Sequence, residues 1–197
     1  MGVCEPGHMS DSSPREGGGR GRDCGTPVIT PATLDDAEAV GEIHATAWRV
    51  AYRGLFAPEY LAAMARQQRT KWLPVIAGLG GSGDVLLVAR IDGRALAFGY
   101  AGPSPTRTGV AEIFAFYSHP DAWGSGLAGQ LMDAVLAHLS AAGFRHVHAW
   151  TLRDTPQSHR FYSKCGFRAS GVHRRRVMGD GYPHEHVEYE VFVSPSP

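Results

Sequence analysis

The run DVLLVARIDGRALAFGYAG, residues 84–102, constrains this chain more than any other. Two apolar segments, Asp84 to Ile91 and Arg94 to Ala101, flank the dipeptide Asp92-Gly93. An Asp-Gly pair accepts the positive φ values of a tight primed turn, so the two segments fold back as an antiparallel hairpin. A third apolar stretch, Glu112 to Ser118, follows the turn sequence GPSPTRTG. Three sequential strands joined by short turns are therefore expected to lie antiparallel.

The rest of the chain is arranged around this meander. Residues from Gly126 to Ala142 carry Leu127, Leu131, Val135 and Leu139 at helical spacing, and Gly143 suits the helix end. A strand (His146 to Thr151), a short helix (Pro156 to Lys164) and two strands (Phe167 to Val177, His186 to Val193) follow. Ahead of the hairpin, Val28 to Thr30 make a short strand. Thr33 then caps a helix whose first turn holds Asp35, Asp36 and Glu38, complementing the helix dipole. A second helical region runs from Pro58 to about Ala77, with a break expected at Pro74. The expected fold is a single α/β domain over residues 27–197. Its sheet is mixed but mostly antiparallel, flanked by helices, with one right-handed β-α-β crossover. Residues 1–26 are rich in Gly, Ser, Pro and Arg and read as a disordered tail.

Charge narrows the function classes. Nineteen Lys and Arg balance nineteen Asp and Glu, so the chain lacks the basic footprint of a nucleic-acid binder. The most apolar region is interrupted by Arg90, Asp92 and Arg94, so no membrane span is expected, and the N-terminus has no apolar signal core. Cys4, Cys24 and Cys165 lie far apart and form no disulfide framework, which points to a reducing cytoplasm.

The segment HPDAWGSGLAGQLM, residues 119–132, carries the chemistry. Glycines before a helix let backbone N–H groups approach a phosphate, where the dipole favours negative charge. Three ligands compete for such a loop. A nucleoside triphosphate site needs Gly-Lys-Ser/Thr, but Leu127-Ala128 follow Gly126. A dinucleotide site matches Gly124, Gly126 and Gly129 literally. It also wants its glycines tight against a first strand and an acidic residue about 20 positions on, and here both are missing. The third ligand is an acyl-coenzyme A.

EIFAFYSHPDAWGSGLAGQLM resembles the acetyl-coenzyme A loop of the GCN5-related N-acetyltransferases, whose pattern is a strand, Val-x-Pro, then Gln/Arg-x-x-Gly-x-Gly/Ala opening a helix. Pro120, Gly126 and Ala128 match, Ser118 stands for Val, and Trp123 stands for Gln/Arg. DTPQSHRFYSKCGF resembles the family's later motif Asn-x-x-Ala-x-x-Phe-Tyr-x-x-x-Gly-Phe. There Phe161, Tyr162, Gly166 and Phe167 match, with Thr155 for Asn and Ser158 for Ala. AWRVAYRGLFAPEYL is similar to a substrate-side helical segment of one bacterial branch. The similarity spans about residues 28–193.

The resemblance implies an acetyl-coenzyme A-dependent N-acetyltransferase. In that reaction a primary amine of a small molecule, peptide or protein attacks the thioester directly, with no metal. An acyl-coenzyme A-binding module that has lost catalysis is the alternative. By the same likeness, the coenzyme lies against Phe116, Tyr117 and Ser118, the loop Trp123, Gly124, Ser125, Gly126, Leu127, Ala128 and Gly129, and Thr155, Ser158 and Phe161. Trp123 is expected to pack along the coenzyme or under the loop. Tyr162 is the candidate general acid. A homodimer is common in the family.

Glu112 is the candidate general base. It leads an apolar strand, where desolvation raises a carboxyl pKa, and alternation puts it on one face with Phe114, Phe116 and Ser118. Trp48 and Tyr52, at i and i+4, share a helix face that can line the acceptor pocket. The pairs His146/His148 and His184/His186 each point one way along a strand, but metal is not expected. The run His173 to Arg176 can meet an acidic acceptor or a coenzyme phosphate.

Overall fold

The computed structural model describes residues 26–80 and 83–194. The expected tail lies, up to residue 25, outside the described residues. Among those described, seven strands form one sheet in the order β1-β2-β3-β4-β5-β7-β6. The strands are β1 (Val28–Pro31), β2 (Val85–Ile91), β3 (Arg94–Pro103), β4 (Ala111–Ser118), β5 (His146–Leu152), β6 (Arg168–Val177) and β7 (Pro183–Phe192). The β2-β3 hairpin turns on Asp92 and Gly93, both at positive φ, as the Asp-Gly pair requires. All pairings are antiparallel except β4 with β5.

Five helices flank the sheet: α1 (Ala37–Ala51), α2 (Pro58–Thr70), α3 (Trp72–Ala77), α4 (Leu127–Ala141) and α5 (Pro156–Lys164). A single 3-10 turn, Leu34–Asp36, precedes α1, and the Asp36 carboxylate accepts the Thr33 N–H at 2.9 Å. The break in the second helical region falls at Lys71 rather than at Pro74. Pro74 lies in the first turn of α3, where its missing N–H costs no helical bond. Its ring excludes the carbonyl four residues back, at Thr70, and α2 ends there.

Each face of the sheet has its own core. On one face Leu127, Leu131, Met132, Val135 and Leu139 of α4, all almost fully enclosed, pack with Ala111, Ile113, Val147 and Ala149. Each such leucine contributes about 2 kcal/mol relative to exposure. On the other face Val40 and Ile43 of α1 and Trp72 and Ile76 of α3 cover Leu86, Val88, Phe98 and Ala115. A satellite cluster of Trp48, Phe56, Leu61 and Leu152 joins α1 and α2 to the end of β5. α1 and α2 meet closely at Gly41, where a Cβ would stand 2.3 Å from the Arg69 carbonyl oxygen. Any larger residue there would push the two helices apart.

Candidate functional site

Strands β4 and β5 part company after a short start. They pair only at Ala111 with Val147, Glu112 with His148 and Ile113 with Ala149. Beyond that, residues 114–118 of β4 have no β5 partner, so one edge of the strand offers backbone groups into a cleft. The parting coincides with a bulge. Tyr100 pairs with Ala115 and Ala101 with Ile113, which leaves Phe114 as an extra residue.

The bulge overturns the expected alternation. Ala111 and Ile113 point to the α4 face, and after the inserted residue Phe116 does so too, while Ala115 and Tyr117 point to the α1 face. Glu112 therefore shares the α1 face with Ala115 and Tyr117, opposite Phe116. A period of two cannot register one unpaired residue.

The glycine loop stands at the open end of the cleft. Gly126 caps α4 at φ 85° and Gly124 holds φ 80°, a region that favours glycine. The N–H groups of Trp123, Ser125 and Gly129 donate to Pro120, Ala122 and Gly126 carbonyls, and that of Leu127 donates to Ser125 Oγ. The alternate N–H groups, of Gly124, Gly126 and Ala128, have no acceptor among the described residues. They form a donor set at a helix N-terminus with no acidic residue in its first turn. That is what a diphosphate needs. The literal dinucleotide spelling plays no part in this, since Gly129 lies inside α4 at ordinary φ.

Trp123 is half-exposed and donates its indole N–H to the Ser118 carbonyl at 3.2 Å. It pins the loop to the end of β4, rather than filling space beneath it. Replacing it with phenylalanine keeps the ring and removes this bond, worth about 1 kcal/mol. The expected result by calorimetry is coenzyme A affinity about fivefold weaker with little change in Tm. An unchanged affinity would mean the bond does not order the loop.

Three tyrosines converge on the cleft from different elements. The Trp48 indole N–H donates to the Tyr117 hydroxyl at 3.1 Å, and the Tyr52 and Tyr117 hydroxyls lie 3.4 Å apart. Tyr162, in α5, stacks on Tyr189 and meets Phe167 edge-on. Its neighbour Phe161 stacks on Phe116 at 5.2 Å, tying α5 to β4 across the parting. Burial pushes the Tyr162 phenol well above its ordinary value, and the nearby Tyr117 and Cys165 reinforce this. Its hydroxyl has no hydrogen-bond partner among the described residues, so its proton is free to be given to a ligand.

Glu112 sits in a polar cluster on the α1 face. Its Oε2 accepts from Ser104 Oγ at 3.4 Å and lies 3.5 Å from His148 Nε2. His148 is almost fully enclosed, and its Nε2 lies 3.0 Å from Ser104 Oγ. Its Nδ1 stands 2.9 Å from Glu188, off the hydrogen-bonding direction. Burial first, then the Arg107 charge, pushes His148 down to about 4, against the pull of the Glu188 carboxylate. Burial likewise raises the Glu112 carboxyl, opposed by Arg174, Ser104 and Arg107.

The remaining expected residues divide. Trp48 and Tyr52 do share a face, with ring centroids 4.8 Å apart, and reach the cleft through Tyr117. Ser158 is half-buried on α5. Thr155 is fully enclosed and donates to the Leu152 carbonyl at 2.6 Å. It fixes the entry to α5 instead of offering its hydroxyl outward. The paired histidines meet carboxylates, His146 with Glu190 and His184 with Asp180. Among the described residues no group of His, Cys, Asp and Glu is arranged to hold a metal ion, and no helix is long and apolar enough to cross a membrane. Sequence reasoning missed the Tyr117 hydroxyl network and the Ser104–His148–Glu188 surroundings of Glu112. The alternation His146, His148, Trp150 was the available signal for the second.

A parallel strand pair that opens beside a glycine-capped helix leaves a cleft with free backbone donors at its mouth. Residues 46–167, more than half of the chain, match the acetyltransferase (GNAT) family, and the chain belongs to that family. Several solved structures share its fold. PaiA N-acetyltransferase from Thermoplasma acidophilum, in complex with coenzyme A, aligns with a TM-score of 0.69 at 19% identity, over 83% of this chain and 98% of that one. YncA from Salmonella typhimurium, a putative acetyltransferase with its cofactor acetyl-CoA, gives 0.60 at 17%, over 85% and 94%. The ribosomal-protein-S18-alanine N-acetyltransferase from Escherichia coli gives 0.61 at 16%, over 87% and 97%. No curated protein matches the chain in sequence.

Proposed function

We propose that this acetyltransferase moves an acetyl group from acetyl-coenzyme A to a primary amine of a small molecule or peptide, by direct attack. The observation that carries the reading is the donor set of Gly124, Gly126 and Ala128 N–H groups at the mouth of the β4–β5 cleft. These amides are suited to the coenzyme's diphosphate, and the free edge of β4 at residues 114–118 is suited to its extended amide arm. When bound, the coenzyme supplies an acetyl group activated as a thioester. Glu112 takes a proton from the acceptor ammonium, directly or through water, and releases it to solvent, which restores the carboxylate. Tyr162 gives its proton where the thiolate departs, and its burial keeps it protonated until then. A backbone N–H of the free β4 edge polarises the carbonyl. The uncommitted cysteine, Cys165, has no part in direct transfer. The proposed compartment is the cytoplasm.

The test is thiol release from acetyl-coenzyme A across a panel of amines, beside calorimetric binding of coenzyme A. Turnover with at least one amine and coenzyme binding is the expected result. Tight binding with no turnover across a broad panel would favour the inert binding module, and no binding would overturn the reading.

A further inference from the structure

The face of the sheet that carries Glu112 continues onto β5, β7 and β6. In the pairing register Glu112 lies beside His148, and Trp150 follows two residues along β5, at the parting. Leu152, on the same side of β5, packs under α1 and α2. Leu152 pairs with His186, and His186 with Arg174 of β6, so Arg174 shares this face. Its guanidinium lies over the Trp150 ring, 4.0 Å from the centroid.

Arg174 is half-buried, whereas the other arginines without a carboxylate partner among the described residues, such as Arg53, Arg66, Arg160, Arg175 and Arg176, are exposed. Arg69, Arg90, Arg94, Arg107 and Arg153 each meet a carboxylate. Arg174 has no carboxylate within 4.0 Å among the described residues, although it is half-buried and its Nε is enclosed with no acceptor. A buried donor left unpaired is costly, and a guanidinium stacked on an indole is already oriented for a planar, two-point partner. Glu112 and Glu188 are near enough to interact electrostatically, but neither contacts it.

We propose that Arg174, seated on Trp150, anchors the carboxylate of the acceptor, so that the amine acetylated here belongs to an amino acid or acidic peptide. This rests on the acyl-transfer reading above and specifies its acceptor. One face then presents a carboxylate base, Glu112, toward the ammonium and a free guanidinium toward the carboxylate. Loss of Arg174 removes affinity for the acceptor and not for the coenzyme, whose diphosphate donors lie on the β4–α4 loop.

The test compares γ-aminobutyrate with its amide, and Ala-Asp with Ala-Asn as peptide amides, in the thiol-release assay. The wild type is expected to prefer the carboxylate member of each pair by about tenfold or more in kcat/KM. Assayed above the acid limb set by Glu112, whose carboxyl the Arg174 charge holds down, Arg174→Gln is expected to abolish the preference by raising KM for that member, while kcat/KM for the amides and KM for acetyl-coenzyme A stay within about twofold; Arg174→Lys restores part of it. Equal loss on both members, or a wild-type preference for the amides, overturns the proposal. A second measurement is independent of turnover: the carboxylate acceptors titrated against the Trp150 indole N–H resonance. A saturable shift lost in Arg174→Gln supports the anchor even if no amine is acetylated, in which case only the acyl-transfer reading fails. No shift in the wild type overturns the anchor.

Discussion

Tyr162→Phe lowers kcat about a hundredfold and leaves KM for acetyl-coenzyme A within about threefold, if Tyr162 protonates the departing sulfur. The substitution is clean. Phenylalanine keeps the stack on Tyr189 and the edge contact with Phe167, and the lost hydroxyl leaves no protein group without its partner. A structural role would show in the melting temperature or in coenzyme binding. A role in proton delivery shows in kcat alone, and most strongly with poorly activated thiol leaving groups. Tyr117 is an alternative donor, but it already exchanges hydrogen bonds with Trp48 and Tyr52. A Tyr162→Phe enzyme with the kcat and pH profile of the wild type would remove Tyr162 from the chemistry.

Glu112→Gln has an effect of similar size, distinguished by pH. Removing a positioned base is expected to lower kcat/KM by about a hundredfold or more at neutral pH. In the wild type, activity falls on the acid side as the Glu112 carboxyl takes up its proton, above the ordinary value of 4.5 because burial disfavours the charge. The variant loses this limb, and an unchanged limb would move the base elsewhere. Stability moves the other way. An acid whose pKa is raised by folding stabilises the fold below its unfolded value and loses that contribution as pH rises through the folded value. Ionised Glu112 therefore costs stability at pH 7. Glu112→Gln is expected to melt higher than the wild type there, with the gain vanishing toward pH 4. Such opposition between stability and activity is common where a charged group is held in a poorly solvated site.

Local rules read most of the architecture correctly. The Asp92-Gly93 hairpin, the helix after the glycine loop and the strand–helix alternation all depend on neighbours within a few residues, through turn φ values or side-chain periodicity. The family assignment rests on the same kind of signal, since Gly126, Ala128, Phe161, Tyr162 and Gly166 lie in two short segments. Pro74 was given the right effect at the wrong place. A proline acts on the residues before it, so the helix stopped at Thr70.

What the sequence could not determine concerns residues far apart. The bulge at Phe114 exists because β4 must satisfy β3 on one side while leaving β5 on the other. It sends Glu112 and Phe116 to opposite faces, against the local alternation. Tyr52 just beyond α1, Tyr117 of β4 and Tyr162 of α5 come near one another only when the sheet and its helices assemble. Arg174 and Trp150 are on strands separated by β7, and no local rule brings a guanidinium over that ring. By itself the sequence determined the fold and the glycine-capped start of α4, and named Tyr162 and Glu112 as candidates, because those follow from backbone preferences and short motifs. Only the tertiary structure decided which groups face the cleft together and which unpaired arginine is half-buried on a tryptophan, because strand register and packing are set by the whole sheet.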